Sequence, residues 1–218
     1  MIRNRLAELL AERNLKISRV AAQLPNLSRN TITSTASNNG KMVQLETIDT
    51  LCQYLQIEPS DFFEYLPFNI NFDITITKNT AMFSDATRSV VYLKKRDIEF
   101  DLYIKVESVT VKKSIFGFSG FNDGGYYGDP MLINLIKDEN DNSSFSEFWH
   151  KSITPGFQTI IWNSLKSDLT TSINNSLNER LAYDDFSFSL SSNNLRLDTD
   201  FKSDLPDSID WNSNELPF

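Results

Sequence analysis

The residue types best suited to recognition chemistry lie together in Ser28-Arg29-Asn30-Thr31-Ile32-Thr33-Ser34. Ser28 is a good helix N-cap, since its hydroxyl can accept a hydrogen bond from a free N–H of the first turn. Ile32 is the only large apolar side chain between Leu27 and Met42, and is therefore the expected anchor into a core. The groups around it are short or medium and polar. A helix of this kind offers donors and acceptors at its N-terminal end, on a face too polar to bury. Such a face fits the major groove of a duplex, where Arg reads guanine, Asn reads adenine, and Ser or Thr hold phosphate. Taken alone, the segment also fits an ordinary solvated helix, so its neighbours decide.

Ile2, Leu6, Leu9 and Leu10 recur on one helical face, which predicts a first helix ending near Arg13, with Asn14 in a left-handed stop. A second short helix is expected over Ile17 to Leu24, its small Ala21 and Ala22 letting another helix approach. Pro25-Asn26 breaks it, and Asn26 suits positive φ in a tight turn. Leu27 points inward and the Ser28 helix follows, closed by Ser37-Asn38-Asn39-Gly40 with Lys41 beside the turn. Leu45, Ile48, Leu51, Cys52 and Leu55 mark a fourth helix. Glu58-Pro59-Ser60-Asp61 starts a fifth, with proline at the first helical position and Phe62 and Phe63 packing it down.

The run Leu45-Glu46-Thr47-Ile48-Asp49-Thr50-Leu51-Cys52-Gln53-Tyr54-Leu55, continuing to Gln56-Ile57-Glu58-Pro59-Ser60-Asp61-Phe62-Phe63, resembles the closing pattern of the Cro/C1-type (XRE-family) helix-turn-helix domain. Leu27-Ser28-Arg29-Asn30-Thr31-Ile32 is similar to that family's start of the recognition helix. The resemblance covers residues 2–66. It implies a five-helix DNA-binding domain of the sort found in bacterial and phage repressors. Two departures stand out. The family's Thr-Gln at the start of the second helix is replaced by Lys16-Ile17 or Ile17-Ser18, and its turn glycine by Pro25-Asn26. By position, the resemblance gives Arg29, Asn30 and Thr33, with Ser34, the base edges. Ser28 and Thr31 take phosphate or the cap, and Lys41 with the Asn38 and Asn39 backbone meets the DNA strand. Arg19 is either a phosphate contact or a surface charge pairing with Glu12.

The net charge of −8 looks wrong for a nucleic-acid binder until it is divided by position. Residues 1–45 hold seven cations (Arg3, Arg5, Arg13, Lys16, Arg19, Arg29, Lys41) against Glu8 and Glu12, a local balance of +5. Residues 1–66 balance to zero, so the whole acidic surplus lies beyond them. It is the local field that attracts a phosphate backbone. A single cysteine, Cys52, excludes an intrachain disulfide and suits a reducing compartment. Met1 leads straight into Arg3 and Arg5 rather than an apolar leader, and no stretch approaches the roughly 20 apolar residues of a membrane span. A cytoplasmic protein is expected.

Beyond Leu66-Pro67 the composition turns to strands. Ile70, Phe72, Ile74 and Ile76 alternate with polar residues, and Val90 to Leu93 suggests a second strand. Ile98, Phe100, Leu102, Ile104 and Val106 form the longest alternation, with a phase change near Ser108 toward Val109 and Val111. Phe116 to Gly128 reads as an aromatic, glycine-rich loop with a hairpin signal at Asp123-Gly124, and Met131 to Ile136 as a more buried strand. Ile161, Leu165, Leu169, Ile173, Leu177 and Leu181 recur every fourth residue. That stripe drifts about 40° per step, so the helix either wraps a twisted sheet or breaks near Asn174-Asn175. Phe186, Phe188, Leu190, Leu195 and Leu197 return to strand alternation. The expected architecture is an all-α helix-turn-helix domain over 1–66, an α+β domain with a mainly antiparallel sheet over 67–203, and an acidic tail over 204–218.

Catalytic chemistry finds little support. Asp97, Glu99 and Asp101 share a strand face, with neighbours about 7 Å apart, which is wide for one ion and ordinary for a solvated face. The single His150, beside Trp149, reads as a packing residue, and one Cys with one His cannot build a zinc site. No phosphate-binding loop, dinucleotide glycine pattern or nucleophile elbow is present. No cofactor or metal is expected. The sequence points to a transcriptional regulator, most simply a repressor, that binds a double-stranded DNA operator as a homodimer. Its second domain would pair protomers or receive a peptide or protein antirepressor, for which 116–128 is the first place to look. The alternative is an antitoxin or immunity-type protein that neutralises a partner and autoregulates through its helix-turn-helix. Operator sequence, sign of regulation and inducing signal are not legible.

Overall fold

The computed structural model describes residues 1–38, 40, 42–83, 93–95, 97–108, 114–122, 131–137, 145–181, 187, 189–192 and 195–199. They divide into two compact units, one over Met1–Pro67 and the other from Phe68 onward, each considered by itself.

The first unit contains α1 (Leu6–Glu12), α2 (Ile17–Gln23), α3 (Arg29–Ala36), α4 (Leu45–Leu55) and α5 (Pro59–Phe62). It is not all-helical, however: β1 (Ile2–Asn4) pairs antiparallel with β2 (Phe63–Tyr65), setting Ile2 opposite Tyr65. Ile2 therefore lies outside α1, and its side chain is 71% exposed rather than in the core. Its helical spacing from Leu6 is a coincidence of phase. The ribbon ties the two ends of the unit together. The Arg5 N–H donates to the Phe62 carbonyl at 2.8 Å, and the Leu66 N–H to the Met1 carbonyl at 2.9 Å. Beside it, buried Arg3 is held between Glu8 and Glu64, both at 2.5 Å. The core joins Leu6, Leu9, Leu10, Val20, Leu27, Ile32, Ile48, Leu51, Cys52, Leu55 and Phe62. Leu45 and Met42 stay exposed, and Phe63 belongs to the ribbon, packed edge-on against Phe62. Asn14 takes the expected left-handed conformation, but Asn26 does not; among the described residues other than glycine, Asn38 and Gln56 also have positive φ.

The second unit is built on a five-stranded sheet in the order β3 (Asn69–Asn79), β6 (Ile98–Glu107), β7 (Ser114–Asn122), β8 (Met131–Lys137), β9 (Leu195–Thr199). All pairs are antiparallel except β8 with β9. A two-stranded ribbon, β4 (Met82–Phe83) with β5 (Leu93–Lys95), stands apart. Phe116 to Asn122 is strand, not loop: Phe116, Phe118 and Gly120 are buried within β7. The Asp123-Gly124 turn, positions 90–92 of the strand expected over Val90 to Leu93, the phase change at Val109 and Val111, and Phe186 and Phe188 fall outside the described residues; Leu93 itself opens β5.

Helices α6 (Phe145–Ser152) and α7 (Pro155–Glu179) cover one face. The every-fourth stripe is resolved in favour of wrapping. α7 runs unbroken for 25 residues, with Ile161, Leu165, Leu169, Ile173 and Leu177 all buried. Buried Gln158 donates to the Trp149 and Ile153 carbonyls, both at 3.0 Å, and so fixes the corner between the helices. Trp149 is buried in that core, whereas His150 is exposed, contrary to its expected packing role, because the α6 face carrying Phe145 and Trp149 leaves it outward.

Gly120 is required by packing. A Cβ there would lie 2.2 to 2.7 Å from the Phe100 ring directly opposite on β6. Phe100 is 1% exposed and has no outward path. Gly120→Ala is expected to lower stability by about 1–3 kcal/mol, read as a fall in melting temperature. Phe100→Leu in the same chain should recover part of that loss.

Candidate nucleic-acid interface

α3 has eight residues, and only Ile32 and Thr35 on it are buried. At 100° per residue, Arg29, Thr33, Ser37, Asn30 and Ser34 fall within one continuous arc of about 140°. Ile32 and Thr35 occupy the opposite side, and Ala36 lies at the margin beside Arg29. All five residues of the arc are exposed. Among the described residues, the side chains of Arg29, Asn30, Thr33 and Ser34 make no ion pair or hydrogen bond with the rest of the protein.

The helix starts as its sequence requires. Ser28 Oγ accepts from the Thr31 N–H at 3.0 Å and lies 2.8 Å from the Thr31 hydroxyl. Thr35 turns its hydroxyl back to the Thr31 carbonyl at 2.8 Å, so a buried polar side chain meets its demand within the helix. The far end is locked from β1. Asn38 Oδ1 accepts from both the backbone N–H and the side-chain amide of Asn4, each at 2.8 Å. Asn38 Nδ2 donates to the Asn4 carbonyl at 3.0 Å, and Asn4 Nδ2 also reaches the Thr35 carbonyl at 2.8 Å. The Asn38 backbone N–H is taken by Thr35 at 3.1 Å. Asn38 was expected to offer its backbone to a phosphate; instead both its N–H and its side chain are committed to closing α3. Asn39 and Lys41 lie outside the described residues.

The charges of the unit are sorted by side. Arg3 is neutralised by Glu8 and Glu64, while Arg5 and Arg13 share Glu12 at 3.5 and 3.6 Å. Arg19 is not the partner of Glu12. Lys16, Arg19 and Arg29 are all exposed, with no ion pair among the described residues. These three sit at or within the N-terminal turns of α2 and α3, helices whose first turns carry no acidic residue, whereas α1, α4 and α5 carry Glu8, Glu46 and Asp61 there. A carboxylate would complement the positive helix end. Its absence, together with an added cation, leaves that end available to an external anion. Sequence reasoning did not single out Lys16, Thr35 or Asn4. Lys16 was visible as a cation at a helix start, but the roles of Thr35 and Asn4 depend on contacts distant in sequence.

Among the described residues, no group of three or more His, Cys, Asp or Glu is placed to hold a metal ion, and no helix is long and apolar enough to cross a membrane.

A short capped helix laid across a second one, with its polar arc outward and unpaired cations beside it, defines the class of helix-turn-helix DNA-binding domains. Residues 5–67 match the family model of the Cro/C1-type HTH DNA-binding domain, and this part of the chain is such a domain. A crystal structure from Bacteroides fragilis, provisionally described as a DNA-binding protein, is 26% identical to this chain, covering 29% of it and 100% of its own length, at a TM-score of 0.27. No curated protein matches the sequence.

The two ends of α3 can be tested separately. Ser28→Ala removes one cap bond and should cost about 1 kcal/mol. Asn38→Ala should cost more, about 2–3 kcal/mol, because the Asn4 backbone N–H and one hydrogen of its side-chain amide lose their acceptor, and a φ of 54° suits alanine less well than asparagine. Chemical denaturation of the two variants checks that order.

Proposed function

We propose that this chain is a sequence-specific transcriptional regulator, a repressor of bacterial or phage type, that binds an operator as a dimer. In this reading α3 enters the major groove. Arg29, Asn30 and Thr33 meet base edges, with Ser34 at the margin of the same arc. Ser28 and Thr31, at the exposed start of the helix, lie toward phosphate, and Arg19 and Lys16 add phosphate contacts from α2. The observation that carries the proposal is the exposed polar arc of α3, left without internal partners beside the unpaired cations of α2. A protein gains nothing in stability from that arrangement, and a duplex uses all of it.

One domain of this size reads a short footprint, so specific affinity calls for two copies on half-sites about one helical turn apart. Residues 67–203 are then the unit that pairs protomers. Of the stretch 116–128 proposed to meet a peptide or protein antirepressor, 116–122 is strand with Ser119 exposed, and 123–128 lies outside the described residues.

A genome-wide footprint of the bound chain should return a two-fold symmetric site. Arg29→Ala and Asn30→Ala should each relax the preference at one base pair per half-site by about 1–3 kcal/mol, without a change in melting temperature. Arg19→Ala should weaken binding to all sequences alike and flatten the slope of log affinity against log salt by about one. If the intact protein ignores duplex DNA at every ionic strength, the reading fails.

A further inference from the structure

We propose that β3 is the pairing edge of the second unit, and that its occupant is the β3 of a second copy, joined antiparallel about a two-fold axis to make one ten-stranded sheet. This deepens the dimeric reading above and rests on it only for why a dimer is needed. Among the described residues β3 is the end strand of the sheet, bonded to β6 on one side, and at 11 residues it is the longest strand. Long end strands are normally defended by proline, lysine or bulges. β3 has no proline, and its single bulge, between Ile76 and Lys78, and its one lysine, Lys78, lie together near one end. Its outward row up to the bulge is Asn69, Asn71, Asp73, Thr75 and Thr77, in which Asp73, paired with Lys105 of β6 at 2.6 Å, is the only charge; Lys78 beyond the bulge sits opposite Glu99 and is paired with it at 2.7 Å.

The inner row points the same way. On β6 the core-facing side chains from Ile98 to Val106 are 7% exposed or less. Ile70, Phe72, Ile74 and Ile76 on β3 remain half-exposed. The apolar layer therefore continues to the rim of the sheet without being sealed there. Ile74 and Ile76 open into a groove of about 360 Å³ whose other wall is the α7 flank of Ser172, Asn175, Ser176 and Glu179. Another strand laid along β3 would bury this row, and Ser172 and Ser176 present small side chains on the α7 wall beside it.

Charge selects both partner and register. Opposed residues of an antiparallel pair point to the same face, so a two-fold axis must pass through a residue. An axis at Asp73 would set two carboxylates face to face. An axis at Ile74 sets Asp73 opposite the partner's Thr75, where the hydroxyl can donate to it, and Phe72 opposite the partner's Ile76, an aromatic–aliphatic pair of the kind sheets favour. The strand is complementary to itself in that register, as an isologous interface requires.

The test uses the full chain without DNA. Sedimentation over a range of concentrations is expected to show a two-copy species. Thr75→Asp creates two like-charge facings by symmetry and should raise the dissociation constant about tenfold; Thr75→Lys, a longer side chain of opposite charge at the same exposed site, should leave the dimer intact or tighten it. In a Thr75→Cys chain the two thiols would lie about 7–8 Å apart on the diagonal, so a short bis-maleimide should join the copies, whereas Asn69→Cys, far from its own mate, should not be joined. A monomer at every concentration overturns the proposal. So does a dimer that is indifferent to both Thr75 changes and is not cross-linked at residue 75. A dimer with this behaviour that binds no duplex overturns the operator reading alone.

Discussion

The amide pair between Asn4 and Asn38 is the constraint on which the candidate interface depends. An eight-residue helix whose only large apolar side chain is Ile32 cannot hold its own position, since helix formation at that length is unfavourable without outside support. Ile32 fixes its depth in the core. The four bonds among Asn4, Thr35 and Asn38 fix its C-terminal end, at the point where the chain takes a positive φ. Because Asn4 belongs to the β1–β2 ribbon, the orientation of α3 is set by a contact between the beginning of the chain and the end of the five-helix run.

This arrangement divides the work between two kinds of polar group. Several amides and hydroxyls that the fold needs are bonded internally: Asn4, Thr35 and Asn38 in the first unit, Gln158 and Asn174 in the second. Asn174 is bound both ways to the Leu190 backbone, at 2.7 and 3.0 Å. Arg29, Asn30, Thr33 and Ser34, the groups proposed to meet base edges, face outward and have no internal side-chain partner among the described residues. Each set keeps the other from drifting, because a recognition residue that bonded inward would blunt the interface and a structural amide that turned outward would leave a buried partner unsatisfied.

Most of the helical unit could be read in advance from spacing and caps. Ser28, Ile32 and Asn14 behave as local rules require, since a cap, a lone apolar anchor and a left-handed stop depend on only a few neighbouring residues. What escaped was non-local. The ribbon that takes Ile2 out of the first helix is decided by a partner more than sixty residues away, and the role of Asn38 is decided by Asn4. In the second unit, strict alternation identified β3 and β6. β7 was hidden because glycine and phenylalanine together resemble a loop until one sees that Gly120 makes room for Phe100. Of the candidate contact residues, Arg29, Asn30, Thr33 and Ser34 lie on the expected exposed face, which leaves their role to experiment, while Asn38 proved structural.

Lys16, Arg19 and Arg29, crowded at the positive ends of two helices, have a thermodynamic meaning for the unliganded molecule. Like-signed charge and helix dipole push against one another there, so the free domain is held slightly away from its own electrostatic optimum. Dissolved ions screen that strain, and the same ions weaken attraction to a polyanion. In the reading proposed above, ionic strength would act on the two states in opposite directions, firming the empty fold while loosening the loaded one.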